Sequence, residues 1–188
     1  GSARTVSHNL GAVPEMMWIK RRDSTRDWAT GFGSLGWTKR GPALNSTEQA
    51  YTVSTWWNDT APTSSVFTVG SSAFVNASSG TYIAYLFATV AGVSKVGSVA
   101  PTGSALTVDC GFTSGARFVL MKRTDSTGDW FVWDSVRGIV SGNDPWLALN
   151  STSSETTNTD YIDPHSSGFA LTSSFYGSGS NFIFYAIA

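Results

Sequence analysis

An all-β fold built from two homologous halves, arranged as a sandwich or jelly-roll-like double sheet, is the architecture this sequence predicts. Three observations predict it. The first is an internal duplication: Lys122-Arg123-Thr124-Asp125-Ser126-Thr127-Gly128-Asp129-Trp130 repeats Lys20-Arg21-Arg22-Asp23-Ser24-Thr25-Arg26-Asp27-Trp28 with only the third and seventh positions changed. The second is composition. Charged residues make up 13% and aromatics another 13%, with abundant Gly, Ser and Thr, a balance that favours strands over helices. The third is that no window carries a sustained apolar repeat at i, i+3, i+4, i+7, so no long helix is expected.

Other landmarks recur in the same order. Ala43-Leu44-Asn45-Ser46-Thr47 returns as Ala148-Leu149-Asn150-Ser151-Thr152, and Tyr82-Ile83-Ala84-Tyr85 is matched by Phe182-Ile183-Phe184-Tyr185. Phe67-Thr68-Val69 likewise pairs with Phe169-Ala170-Leu171. Two units are too few for a solenoid, which needs about three repeats to bury a continuous core. The expected division is a lead-in over residues 1–5, a first β unit over 6–92 and a second over 93–188, the two packing as one compact module. Gly1-Ser2 reads as the scar of a removed expression tag.

Taken in order, residues 6–13 form a lead-in ended by Pro14. Met16-Met17-Trp18-Ile19, the polar cluster after it and a second apolar run then predict a β-hairpin, with Asp23 closing an Asx-turn. Lys39-Arg40-Gly41-Pro42 reads as a surface turn. Residues 51–57 alternate enough for a strand that Asn58-Asp59-Thr60-Ala61-Pro62 ends. Strands follow at 65–69 and 81–89, the latter apolar enough to be central and buried. In the second unit, 95–99 and 106–108 are expected to pair across a Pro101–Ser104 turn. The second hairpin follows, from Phe118-Val119-Leu120-Met121 to Phe131-Val132-Trp133 with Asp125 at its turn. Pro145-Trp146-Leu147-Ala148-Leu149, a strand at 168–172 and a final strand at 181–188, paired in the sheet interior, complete the chain.

The chemistry-bearing residues are few. His8 and His165 lack a nucleophile elbow or any catalytic setting. No His/Cys cluster has zinc spacing and no Gly-rich loop fits a phosphate, so no metal, cofactor or catalytic residue is assigned. Cys110 alone excludes an internal disulfide and reads as a small buried strand residue. Sequons at Asn45, Asn58, Asn76 and Asn150 arise easily in such a composition. Asp27 and Asp129, equivalent in the two units and each preceding a Trp, have the residue type for paired acid–base work in glycoside hydrolysis. Support of the hairpin turn is the simpler account. Eight Trp residues are the more informative feature. Trp18, Trp28, Trp130 and Trp133 read as core. On a strand, adjacent Trp56 and Trp57 would point to opposite faces, leaving one for a ligand. Trp56, Trp57, Asn58, Trp37 and Trp146 are therefore the candidate residues for stacking on, or polar contact with, a sugar. A net charge of −1 argues against nucleic acid, which needs a basic stripe. No apolar run reaches the ~20 residues of a membrane helix, so no membrane insertion is expected.

Several ordered blocks resemble a module of bacteriophage tail and tail-fibre proteins. They are His8-Asn9-Leu10-Gly11-Ala12-Val13-Pro14-Glu15-Met16-Met17-Trp18-Ile19-Lys20, Trp57-Asn58-Asp59-Thr60-Ala61-Pro62-Thr63-Ser64 and Gly92-Val93-Ser94-Lys95-Val96-Gly97. Arg117-Phe118-Val119-Leu120-Met121-Lys122-Arg123 with Gly128-Asp129-Trp130-Phe131 resembles the second half. The resemblance implies a virion module; together with the aromatic-rich, charge-poor composition and the missing catalytic set, it makes the expected role a non-enzymatic, extracellular one, contributing to host-surface attachment through a polysaccharide or surface glycan and through other virion proteins. It brings no catalytic residues. Fibre proteins commonly trimerise, but no coiled-coil heptad occurs here, so the contacts of a homotrimer are expected in segments outside these residues. The alternatives are a carbohydrate-binding module appended to a glycan-degrading enzyme and, from a different class, a glycoside hydrolase using Asp27 and Asp129.

Overall fold

The computed structural model describes residues 1–188, and the fold is all-β and sandwich-like, with helix confined to single turns. The chain divides into two units, Gly1–Ala88 and Thr89–Ala188, four residues before the expected junction.

The first unit contains seven strands. They are β1 (Arg4–Ser7), β2 (Met16–Arg21), β3 (Ala29–Phe32), β4 (Lys39–Arg40), β5 (Tyr51–Thr52), β6 (Val66–Val69) and β7 (Tyr82–Phe87). One-turn helices α1 (Ser54–Trp57) and α2 (Ala73–Asn76) lie between β5 and β7. The predicted hairpin is present as β2 and β3, and β7 adds to its other side to give the order β3-β2-β7. A second sheet, β1-β6, and a third, β4-β5, complete the unit. Because side chains alternate along a strand, β2 sends Met17 and Ile19 to one face. There they join Ala29, Phe67, Val69, Val75, Trp56 and Trp57 in one core cluster.

The second unit contains β8 (Ser94–Val99), β9 (Leu106–Asp109), β10 (Phe118–Arg123), β11 (Trp130–Asp134), β12 (Leu147–Ala148), β13 (Ile162–His165), β14 (Gly168–Leu171) and β15 (Phe182–Ile187). Two sheets form, of order β12-β11-β10-β15-β8 and β13-β14-β9. Val119, Met121, Phe131, Trp133, Phe182 and Phe184 from the first share a core with Val108, Ile162, Phe169 and Leu171 from the second. The last strand is interior to its sheet, as its apolar run to the end of the sequence predicts. Cys110 is buried in this core, and burial pushes its thiol up to about 11, which makes it inert at neutral pH.

Five strands correspond between the halves: β1, β2, β3, β6 and β7 match β9, β10, β11, β14 and β15. Arg21 faces Tyr82 across β2 and β7, and Arg123 faces Phe182 across β10 and β15. β1 on β6 matches β9 on β14, with Val6 opposite Phe67 and Val108 opposite Phe169.

Five expectations need correction. The lead-in contains a paired strand, β1. Lys39 and Arg40 form β4 on β5 rather than a surface turn, and Gly41 and Pro42 are buried. β8 and β9 lie in different sheets and do not pair, since β8 takes the outer edge of β15 and β9 pairs with β14. β7 is not central: it is an edge strand, with Ile83, Ala84 and Tyr85 exposed. Finally, Asp23 and Asp125 do more than shape a local turn. Asp23 accepts from Thr81 N at 3.3 Å and Asp125 from Asn181 N at 2.9 Å, so each carboxylate ties its hairpin to the strand that follows much later.

Candidate functional site

The segment carrying the predicted sugar-stacking pair folds as a helical turn, not a strand. On a helix adjacent side chains are about 100° apart instead of opposed, so both indoles can enter one core. Both do: Trp57 is fully buried and Trp56 is 4% exposed. Trp57 makes edge-to-face contacts with Trp37 at 5.9 Å and with Trp56 at 6.0 Å. One face of Trp56 stacks on Phe74 at 5.4 Å, and the Arg40 guanidinium lies over its ring at 5.3 Å while pairing with Glu48 at 2.7 Å. No ring face of either residue is left for a sugar. The sequence signal for this arrangement is Gly31 in the middle of β3, since glycine in a strand interior marks close approach. A Cβ there would sit 2.8 Å from both Trp37 and Trp57.

Asn58 has a structural task. It takes the left-handed conformation at φ 53° and its N–H donates to Ser54 O at 2.8 Å, which terminates α1 in the manner of an Asn helix stop. Its side chain is exposed. Trp146, in the second unit, is half-buried, packs edge-on to Phe131 at 4.7 Å and donates Nε1–H to Thr159 Oγ1 at 2.9 Å. Trp37, Trp56 and Trp57 thus form one interior cluster with Asn58 as its helix stop, while Trp146 belongs to the other unit's core.

The repeated carboxylates Asp27 and Asp129 are engaged in the same way in each unit. Asn45 donates to Asp27 at 2.9 Å and accepts the Trp28 N–H at 2.9 Å. Asn150 donates to Asp129 at 2.8 Å and accepts the Trp130 N–H at 2.7 Å. This explains why the two motifs recur together: the Asn of Ala-Leu-Asn-Ser-Thr bridges the Asp-Trp pair that begins the second strand of the hairpin. Beside it, Arg21 with Asp23 and Arg123 with Asp125 form ion pairs. In each, the guanidinium hydrogen bond holds the carboxyl below its usual range.

Two open features lie in the first unit. A cleft of ≈ 240 Å³ is lined by Val6, Ile19, Phe67, Val69, Val75, Tyr82 and Ala84, and by Arg4 and Gly80. Arg4 and Gly80 also border a polar groove of ≈ 260 Å³ formed with Asn76, Ala77, Ser78 and Ser79, and lined as well by Gly1 and Ser2, the two residues read as a tag remnant. The groove has a fixed floor. The Asn76 carboxamide donates to Gly70 O at 2.8 Å and to Ser2 O at 2.6 Å. Tyr82 Oη donates to Ala73 O at 2.8 Å and accepts from Ala77 N at 2.7 Å. Its wall carries the exposed hydroxyls of Ser78 and Ser79 and the exposed guanidinium of Arg4, which has no ion-pair partner. Residue-type reasoning centred on Trp and Asp had no means of finding a groove made of Arg, Ser and backbone. No group of three or more His, Cys, Asp or Glu side chains is placed to hold a metal ion, and no helix is long and apolar enough to cross a membrane.

The family model described as Domain of unknown function (DUF7483) matches residues 1–188. No curated protein and no solved structure matches the chain.

Proposed function

The chain belongs to the DUF7483 family, whose description assigns no function, and we propose that it is a non-enzymatic virion module of a bacteriophage tail or tail fibre that contributes to host-surface attachment by binding a cell-surface glycan in the polar groove of the first unit. The observation that carries the reading is the groove itself: a pre-formed hollow edged by an unpaired guanidinium and two hydroxyls. Recognition sites place a few polar groups on a fixed scaffold, and here the hydrogen bonds of buried Asn76 and half-buried Tyr82 supply that scaffold. Arg4 adds a planar cation suited to the carboxylate of an acidic sugar. The virion setting rests on the tail-protein resemblance of the ordered blocks. The non-enzymatic reading draws support from Asp27 and Asp129, each already holding its Asn bridge.

A glycan array of bacterial envelope, plant and storage polysaccharides, followed by titration of hits against Arg4→Ala, tests this. Saturable binding weakened about tenfold or more by the substitution is expected. Binding to no envelope glycan, or binding indifferent to Arg4→Ala, would sink it. Binding confined to plant or storage polysaccharides would transfer the groove to a carbohydrate-binding module of a glycan-degrading enzyme.

A further inference from the structure

We infer that the turn of the first hairpin, residues 22–28, binds an anionic glycan through the guanidinium groups of Arg22 and Arg26, which take carboxylate or phosphate groups along the glycan chain. The inference rests on the reading of the protein as a glycan binder, adds the charge of that glycan, and does not use the groove at Arg4.

It starts from the two positions at which the repeated hairpins differ. Lys20–Trp28 and Lys122–Trp130 share seven of nine residues, and the remaining two are Arg22 against Thr124 and Arg26 against Gly128. The first copy carries Lys20, Arg21, Arg22 and Arg26 against Asp23 and Asp27, a net charge of +2. The second carries Lys122 and Arg123 against Asp125 and Asp129, a net charge of zero. On a chain whose net charge is −1, the first turn is a local concentration of positive charge.

Neither extra arginine side chain holds the hairpin together. Arg21 pairs with Asp23 at 2.6 Å and Asn45 donates to Asp27 at 2.9 Å, so both acids of the turn have their partners. The backbone is fixed as well, by Arg22 N donating to Thr81 O at 2.8 Å and by Lys20 Nζ donating to Arg26 O. The side chains of Arg22 and Arg26 are exposed, and neither forms an ion pair. In the second copy Thr124 is buried and turns its hydroxyl to Asn181 O at 3.1 Å. The second unit uses this position for its own fold, whereas the first gives it to solvent.

A further difference accompanies Arg26. Its guanidinium lies 5.2 Å over the ring of Phe74, which itself stacks on Trp56 at 5.4 Å. The counterpart of Phe74 is Ser174, identified by a shared turn: Phe74 N donates to Ser72 Oγ at 3.3 Å and Ser174 N to Thr172 Oγ1 at 3.2 Å. Cation and aromatic shelf therefore occur together in one unit, and glycine with serine in the other. A ring under a guanidinium restrains it while leaving its N–H edge free. That edge presents paired donors to a carboxylate or phosphate. A strand preceding the unit leaves this place open: in the second unit, where β8 precedes β9, the corresponding Asp125, Thr127 and Ser174 are exposed. Two guanidiniums on one turn suit successive anions of a polymer, but fall short of the basic stripe that nucleic acid requires.

The test uses the 188-residue protein and three defined polymers: polygalacturonate, which bears carboxylates, poly(glycerol phosphate) and neutral dextran. Binding to one or both anionic polymers and not to dextran is expected, weakening as salt screens the exposed charges. Arg22→Thr and Arg26→Gly install the second unit's own residues, so the turn should survive, and thermal melts check that it does. Each should weaken binding about fivefold or more, and the double variant about twentyfold or more. Phe74→Ser, which removes the shelf and keeps the cation, should cost less than Arg26→Gly. Lys39→Ala, which removes an exposed positive charge elsewhere, should leave binding unchanged. Binding of neither anionic polymer, equal binding of dextran, or full binding by the double variant would overturn the inference. Loss in Arg4→Ala with Arg22→Thr and Arg26→Gly unaffected would also overturn it, by placing the anion in the groove. So would duplex DNA bound as tightly and with the same sensitivity to both substitutions, which would assign the turn to nucleic acid.

Discussion

Replacing the bridging asparagine in each unit should produce unequal losses, and the inequality can be worked out from burial. Asn150→Ala removes two hydrogen bonds, one accepted from Trp130 N at 2.7 Å and one donated to Asp129 at 2.8 Å. Trp130 is 1% exposed, so water cannot readily replace the lost acceptor. An unsatisfied buried N–H costs about 1–3 kcal/mol, and the bond to a carboxylate adds about 1.5. A loss of about 2.5–4.5 kcal/mol for the second unit follows. Asn45→Ala removes the same pair of bonds, at 2.9 Å each, but Asn45 is exposed and Trp28 only half-buried. Water can take over, and about 1 kcal/mol is expected. Asn150→Asp sharpens the test. It keeps an acceptor for Trp130 N but sets a carboxylate against Asp129, and such a pair holds a proton more readily than a lone acid. The variant should therefore regain stability as pH falls from 7 towards 4. Urea unfolding followed by Trp fluorescence and by hydrogen exchange resolved to each unit measures all three. Equal losses for Asn45→Ala and Asn150→Ala, or an Asn150→Asp variant whose deficit grows on acidification, would refute the argument.

Two further outcomes are expected. Asp144 is fully buried and accepts from Val140 N at 3.0 Å and Ile162 N at 3.2 Å, and burial pushes its carboxyl up to about 6 from an ordinary value of 3.8. The native state then holds this proton more tightly than the unfolded chain. Its contribution penalises the second unit progressively as pH rises from about 4 to 6, by no more than about 2–3 kcal/mol, and is constant above that. The difference in stability between native protein and Asp144→Asn, followed by urea titration from pH 3.5 to 7.5, should show this slope; a flat difference would contradict it. Trp57→Ala should cost about 3–5 kcal/mol, as expected for a fully buried tryptophan, and unfold the first unit in thermal melts rather than selectively remove ligand binding. A stable Trp57→Ala variant with lost glycan binding would return that indole to the site.

Much of the frame could be read from the residues because the duplication repeats it. Hairpins β2–β3 and β10–β11 follow from apolar runs flanking a polar cluster, and the end of the chain pairs inside its sheet as its apolar content requires. The misreadings have physical causes. Trp56 and Trp57 share a core because four residues close a helical turn, and a pattern that short has no period to distinguish turn from strand. Asp23 and Asp125 reach Thr81 N and Asn181 N, more than fifty residues away, where local turn chemistry gives no signal. β7 and β15 are equally apolar, yet one is an edge and the other central. Strand burial depends on neighbours, and only β15 has β8 beside it. The groove was invisible for a related reason: Arg4, Ser78 and Ser79 are ordinary surface residues until β1, α2 and the turn after it bring them together.

The comparison of the halves separates what holds the fold from what distinguishes one unit. Both keep the Asn bridge and the Arg–Asp clamp at the hairpin, so neither feature accounts for a difference between them. They part at position 84 against 184. Truncating a buried phenylalanine to alanine costs about 3–5 kcal/mol, and the first unit forgoes that packing by carrying Ala84. It has an offset elsewhere in the interlocked Trp37, Trp56 and Trp57, which bury large apolar area against Gly31 and Phe74. The second unit invests its aromatic packing where the first leaves space, with Phe184 between its sheets and β8 along the edge.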